Sequence, residues 1–115
     1  VYHVGFVRDE ETLEASCYLN KLPDQLPPGT RVMISEPMLA TGGTIMAMMK
    51  ELTKRGVDPA AVRIVSVVTA PQALQKLAEA YPTLTVFAAA IDEALNDQGF
   101  IVPGLGDAGD RTFGT

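Results

Sequence analysis

At 115 residues, 47% hydrophobic and 20% charged, the chain has the makeup of one globular domain, which excludes a disordered segment or a set of membrane spans. A net charge of −5 argues against non-specific nucleic-acid binding, which needs a basic face. It leaves phosphorylated small molecules open, because backbone N–H groups bind phosphate whatever the net charge.

Val1 to Val7 (Val-Tyr-His-Val-Gly-Phe-Val) is rich in β-branched and aromatic residues and predicts a strand. The sequence therefore opens inside strand-like residues rather than at a Met, and is expected to be part of a longer protein. Arg8 to Thr12 is a charged break, and Leu13 to Leu19 a second extended piece, so residues 1–20 read as a hairpin arm with an acidic tip. Asp9, Glu10 and Glu11 fit a solvated turn. Arg8 leaves the strand beside them and is either a surface arginine or an anion ligand. An extended arm of this kind suggests packing between subunits, hence a homodimer or larger assembly.

Pro23 to Gly29 holds three prolines and a glycine and is a loop. Val32 to Ser35 is a buried strand, with Glu36 at its carboxyl end. Ile45, Met48, Met49 and Leu52 follow at i, i+3, i+4, i+7 spacing, so Thr44 to about Arg55 is an amphipathic helix that Gly56 closes. Val62 to Val68 is a second buried strand. Pro71 suits a first helical turn, and Leu74, Leu77, Ala78 and Tyr81 supply the inner face of a second helix, ended before Pro82. Leu84 to Ala88 is a third strand. This alternation predicts an α/β domain with a parallel sheet flanked by helices and covered on both faces. After Asp92-Glu93, the glycines and Pro103 between Leu95 and Arg111 argue against a regular element. The apolar Ile101, Val102 and Leu105 favour a packed loop there.

The chemistry concentrates at Glu36-Pro37-Met38-Leu39-Ala40-Thr41-Gly42-Gly43-Thr44. Ligands of open parallel sheets bind outside the carboxyl ends of the strands, where Glu36 is expected. Gly42 and Gly43 allow positive φ, so successive N–H groups can converge on an anion at the start of a helix. Thr41 and Thr44 add hydroxyls, and Glu36 can accept from vicinal sugar hydroxyls. Taken alone, Thr-Gly-Gly-Thr is equally a tight strand–helix connection. No Walker loop and no Gly-x-Gly-x-x-Gly follows the first strand. Cys17 and His3 are set aside as catalysts, since the first has no paired base in view and the second lies among strand residues. The single Cys17 cannot form an internal disulfide and fits a reducing, cytoplasmic setting.

Residues 36–44 resemble the phosphoribosyl-diphosphate (PRPP) motif of type I phosphoribosyltransferases, in the Pro-Met-Leu-Ala form of uracil phosphoribosyltransferases. Gly99 to Arg111, ending Phe113-Gly114-Thr115, resembles that family's uracil loop, and Arg8 to Glu14 its arm. The resemblance implies a type I phosphoribosyltransferase-like α/β fold over residues 1–115 as a single partial domain, with arm 1–20, core 31–90 and base loop 91–115. It also implies transfer of ribose 5-phosphate from PRPP to uracil, giving UMP and diphosphate, with Mg²⁺ carried on the diphosphate. Residues Glu36, Pro37, Met38, Leu39, Ala40, Thr41, Gly42, Gly43 and Thr44 would hold PRPP, with Arg8 at the diphosphate and Asp107 near ribose and magnesium. Glu36, Asp107 and Arg8 form the implied catalytic set. Backbone groups of Ile101, Gly106 and Ala108, with Asp107, would read uracil, and GTP is the implied effector.

Three departures stand out: Glu36 replaces the usual Asp, Phe100 replaces the usual Tyr, and the Pro-Arg-Ala-Gly diphosphate loop does not occur in these residues. A pyrimidine-sensing RNA-binding regulator of the same fold would show a basic stripe, which this acidic sequence lacks. A non-catalytic UMP- or PRPP-binding module is the third reading.

Overall fold

The computed structural model describes residues 1–12, 14–104 and 108–114. Its centre is β5 (Val62–Thr69), flanked on one edge by β3 (Val32–Ser35) and β4 (Met38–Leu39) and on the other by β6 (Thr85–Ile91), all parallel to it. Helix α1 (Gly43–Lys54) connects β4 to β5 through a short 3₁₀ turn at Pro59–Ala61, and α2 (Pro71–Ala80) connects β5 to β6. The βαβ organisation read from the sequence is therefore present, with β6 running three residues past the predicted end.

Hydrophobic burial places both helices on one face. Ile45, Met49 and Leu52 from α1, Ala73 and Leu77 from α2, and Val62 and Ile64 from β5 form one cluster, each at most 2% exposed. Alternate residues of β5 point the other way and are exposed: Val65 at 42% and Val67 at 57%. Met33 of β3 (74%) and Phe87 of β6 (56%) share their registers with Arg63 and Val65, which puts them on that outer face too. The expectation of a sheet covered on both faces is thus wrong for the described residues. The physical reason is topological. Two crossovers of the usual right hand, stepping the same way across the sheet, lay both helices on the same side.

The inner face of α2 also differs from expectation. Ala73 and Leu77 are buried, Leu74 and Tyr81 are half-buried, and Ala78 is exposed. A small residue at 73 is required because the turn before α1 presses against it. Helix α1 ends as predicted, with Lys54 in the last turn and Gly56 at φ 88°. Arg55 fastens the 23–29 loop to it, donating to the Pro23 carbonyl at 2.8 Å and pairing with Glu51 at 2.6 Å.

The arm is the antiparallel pair β1 (Val4–Arg8) and β2 (Ala15–Asn20). Its register shifts between Gly5 and Phe6, and the Tyr18 ring lies over Gly5 so closely that a Cβ there would stand 2.5 Å from it. The acidic tip is solvated as expected. The Asp9 carboxylate accepts from the N–H groups of Glu11 and Thr12, and those bonds hold it below the ordinary aspartate range.

Beyond β6 the sequence reading of an irregular tail needs correction. Ala94–Leu95 (β7) pairs antiparallel with Ile101–Val102 (β8), and Ala108–Phe113 forms the short helix α3. Glycine and proline disfavour long elements, but two-residue ladders and a six-residue helix tolerate them. Ile101 is 1% exposed, so the loop is packed, while Val102 faces outward and Leu105 lies outside the described residues.

Candidate active site

The strand that carries Glu36 does not end there. The ladder to β5 runs through Ser35, breaks, and resumes at Met38. Pro37 has no N–H to donate, which forces the break. The Pro37 carbonyl turns to β5 instead, accepting from the N–H groups of Val67 (2.9 Å) and Val68 (3.1 Å) and from the hydroxyl of Ser66 (3.2 Å). The Glu36 N–H donates to the Val65 carbonyl at 3.0 Å. Glu36 therefore sits in a fixed interruption of a parallel ladder, not at a free strand end, and β4 is an element the sequence reading missed. Ser66, 5% exposed, is the buried support of this interruption.

From Leu39, 2% exposed, the chain enters the glycine turn. Gly42 adopts φ 87°, a left-handed conformation that favours glycine. A Cβ at Gly42 would stand 3.2 Å from the Ala73 Cα, so the turn and α2 touch backbone to backbone. Gly43 is already the first residue of α1 and has no positive φ, so only one of the two glycines serves the turn as expected. No side chain caps the helix from position 42, and the Gly43 N–H reaches the Thr41 hydroxyl at 3.3 Å. The first-turn amides and the positive end of the helix dipole are left at the rim.

These pieces enclose an open cleft of about 80 Å³, lined by Arg8, Glu36, Met38 to Thr44 and Ile45. It lies at the carboxyl end of the sheet, where Met38 and Leu39 pair with Val68 and Thr69. Arg8 and Glu36 bring opposite charges to one mouth. Burial raises the Glu36 carboxyl above the ordinary glutamate range, and the Met38 backbone N–H draws it partly back. A half-buried carboxylate suits hydrogen bonds from sugar hydroxyls, which replace the water it has lost.

The structure thus brings together Arg8, Glu36, Met38, Leu39, Ala40, Thr41, Gly42, Gly43 and Thr44. Pro37 shapes the cleft from behind without lining it, and Ile45 lines it although the sequence reading stopped at Thr44. Ile101 is buried in β8 and is not among the lining residues. Ala108 opens α3, and the Gly106 and Asp107 assignments lie outside the described residues. Two further residues approach Arg8, and nothing in the sequence pairs either of them with it. The Gln98 carbonyl lies 3.4 Å from Arg8 Nη2, and the Phe100 ring centroid 5.8 Å from its guanidinium carbon. Cys17 and His3 are both exposed, and no role in the cleft falls to either.

A family model described as uracil phosphoribosyltransferase matches residues 1–115. A uracil phosphoribosyltransferase from Nostoc sp. is 72% identical over 115 residues, covering 100% of this chain and 53% of that protein. The chloroplastic uracil phosphoribosyltransferase of Arabidopsis thaliana is 53% identical over 115 residues, covering 100% of this chain and 39% of that one. A solved protein structure from Aquifex aeolicus superposes with a TM-score of 0.83 at 37% identity, covering 97% of this chain and 52% of its own. The chain spans about half the length of the curated relatives it matches.

Proposed function

The chain belongs to the uracil phosphoribosyltransferase family, and we propose that it forms the ribose-phosphate and base-holding part of an enzyme that transfers ribose 5-phosphate from PRPP to uracil N1. The observation that carries this reading is the convergence of Arg8, Glu36 and the Thr41–Thr44 turn on one cleft at the carboxyl end of the sheet. The turn takes the 5-phosphate on backbone N–H groups and threonine hydroxyls, Glu36 takes the ribose hydroxyls, and Arg8 faces the diphosphate. The family motif assigns Asp107 to the ribose, and backbone groups of Ile101, Gly106 and Ala108 to the base. Selectivity follows because a mismatched base leaves buried polar groups unpaired.

In the transfer, the bond from ribose C1 to the diphosphate oxygen breaks, the N1–C1 bond forms, and N1 releases its proton. UMP and diphosphate result. Positive charge develops at C1, so positioning of the sugar and stabilisation of the leaving diphosphate are the chain's contributions, and no covalent nucleophile is needed. Magnesium enters as part of the PRPP substrate and neutralises charge on the leaving group.

The test uses the longer protein that contains these residues, with uracil and PRPP, and follows UMP. Glu36→Ala is expected to lower kcat/KM about 100-fold, the size of effect that misplacing a substrate produces. Unchanged turnover would overturn the assignment of Glu36. Assembly as a homodimer or larger belongs to the same reading and is supported by the exposed arm residues Tyr2, Val7 and Tyr18. A monomer by light scattering would count against it. A cytoplasmic location is supported by the exposed free thiol of Cys17, and no described helix is long and apolar enough to cross a membrane. The effector role of GTP rests on the family resemblance alone.

A further inference from the structure

The turn at residues 96–100 is built to keep its shape. The Asn96 side-chain oxygen accepts from the N–H groups of Gln98 (2.9 Å) and Phe100 (3.0 Å). The Asn96 N–H donates to the Phe100 carbonyl at 2.9 Å, and the Gly99 N–H returns to the Asn96 carbonyl at 3.0 Å. Gly99 is buried at φ 77°, which closes the turn. Toward β1 the turn presents the Gln98 carbonyl and the Phe100 ring.

Arg8 meets both. Its Nη2 lies 3.4 Å from the Gln98 oxygen and its guanidinium carbon 5.8 Å from the Phe100 centroid, within the range in which a cation is drawn to a ring face. The same side chain lines the sugar-phosphate cleft beside Glu36. One arginine on the arm thus touches the base-side turn and the phosphate-side cleft at once.

We propose that Phe100 is a positioning residue: its ring, with the Gln98 carbonyl, holds the Arg8 guanidinium at the mouth of the cleft, so that the base-side turn sets the cleft's affinity for the diphosphate end of PRPP. The inference rests on the reading that this cleft takes PRPP. An unrestrained arginine loses rotamer freedom when it grips an anion, whereas one already seated between a ring and a carbonyl loses less. The ring face does this work without a hydroxyl, so phenylalanine at 100 keeps a function that a hydroxyl contact would not explain.

A double-mutant cycle on the longer protein tests it, reading magnesium–PRPP binding by calorimetry and the KM of each substrate. Phe100→Leu is expected to weaken PRPP binding about three- to tenfold with little change in kcat. Phe100→Tyr restores binding, and Phe100→Leu adds nothing further in an Arg8→Met background. Phe100→Met replaces Phe100→Leu if the latter melts early. Equal loss in both backgrounds, or no loss in either, overturns the proposal. A parent protein that binds PRPP but makes no UMP overturns the transfer reading while the cycle still decides the role of Phe100. A parent that binds no PRPP overturns both.

Discussion

The Glu36–Thr44 segment lines the cleft, whereas the 91–104 segment reaches it only through Arg8, and the two are held by different physics. The first is fastened from behind by core elements: the Pro37 carbonyl is taken by three donors of β5, Leu39 is buried, and Gly42 lies against the backbone of α2. The second is held chiefly by its own short-range bonds, from the Asn96 side chain and a two-residue ladder, with the buried Ile101 and the Asp92 N–H on the Thr69 carbonyl as its anchors to the body. Geometry at the cleft turn is therefore tied to global stability, whereas that of the 96–100 turn can loosen without unfolding the domain.

The sharpest test of that contrast is at glycine. Gly42→Ala forces a side chain into positive φ and against the Ala73 Cα, and is expected to cost on the order of 2–3 kcal/mol in denaturant unfolding. Gly56→Ala shares the φ but has nothing within 4 Å, and should cost about 1 kcal/mol. Equal losses would mean that packing against α2 does not fix the turn. Ser66→Ala removes the buried hydroxyl behind Pro37 and should cost about 1 kcal/mol while raising the KM for PRPP. Asn96→Ala, at an exposed position, should change global stability by less than about 1 kcal/mol, yet raise the KM for uracil. A global loss as large as that of Gly42→Ala would erase the distinction between the two regions.

The smallest effect is a pH dependence. Burial raises the Glu36 carboxyl, so the native state keeps that proton to higher pH than the unfolded chain does. Stability is then lost as pH rises through the window between the unfolded and folded values. Glu36→Gln should flatten that slope in melting curves taken from about pH 4 to pH 7. A difference between parent and Glu36→Gln of the opposite sign in this window would show that a cation, not burial, governs the carboxylate.

The Glu36–Thr44 segment was largely legible in the sequence because its markers are local. A β-branched run, a carboxylate, a glycine turn and a helical stripe follow one another within two dozen residues. Its finer geometry was not. The resumption of the ladder at Met38 depends on Pro37 facing Ser66, Val67 and Val68, which no periodicity displays. The run Val62 to Val68 is apolar at five of its seven positions, so it reads as buried on both sides. Which side the helices cover is decided by crossover hand and strand order. Glycine content likewise hid β7, β8 and α3, because propensity describes long elements better than two-residue ladders. Arg8 and Phe100 stand near opposite ends of the chain, and only the fold makes them neighbours.

The three donors gathered by the Pro37 carbonyl also give the site a built-in reporter. The amides of Val67 and Val68 can exchange with deuterium only when that carbonyl lets go. Their exchange rates, read without touching any residue that lines the cleft, therefore measure how often the Glu36 interruption opens. Slower exchange on adding a ligand would mean that occupying the cleft clamps the sheet behind it.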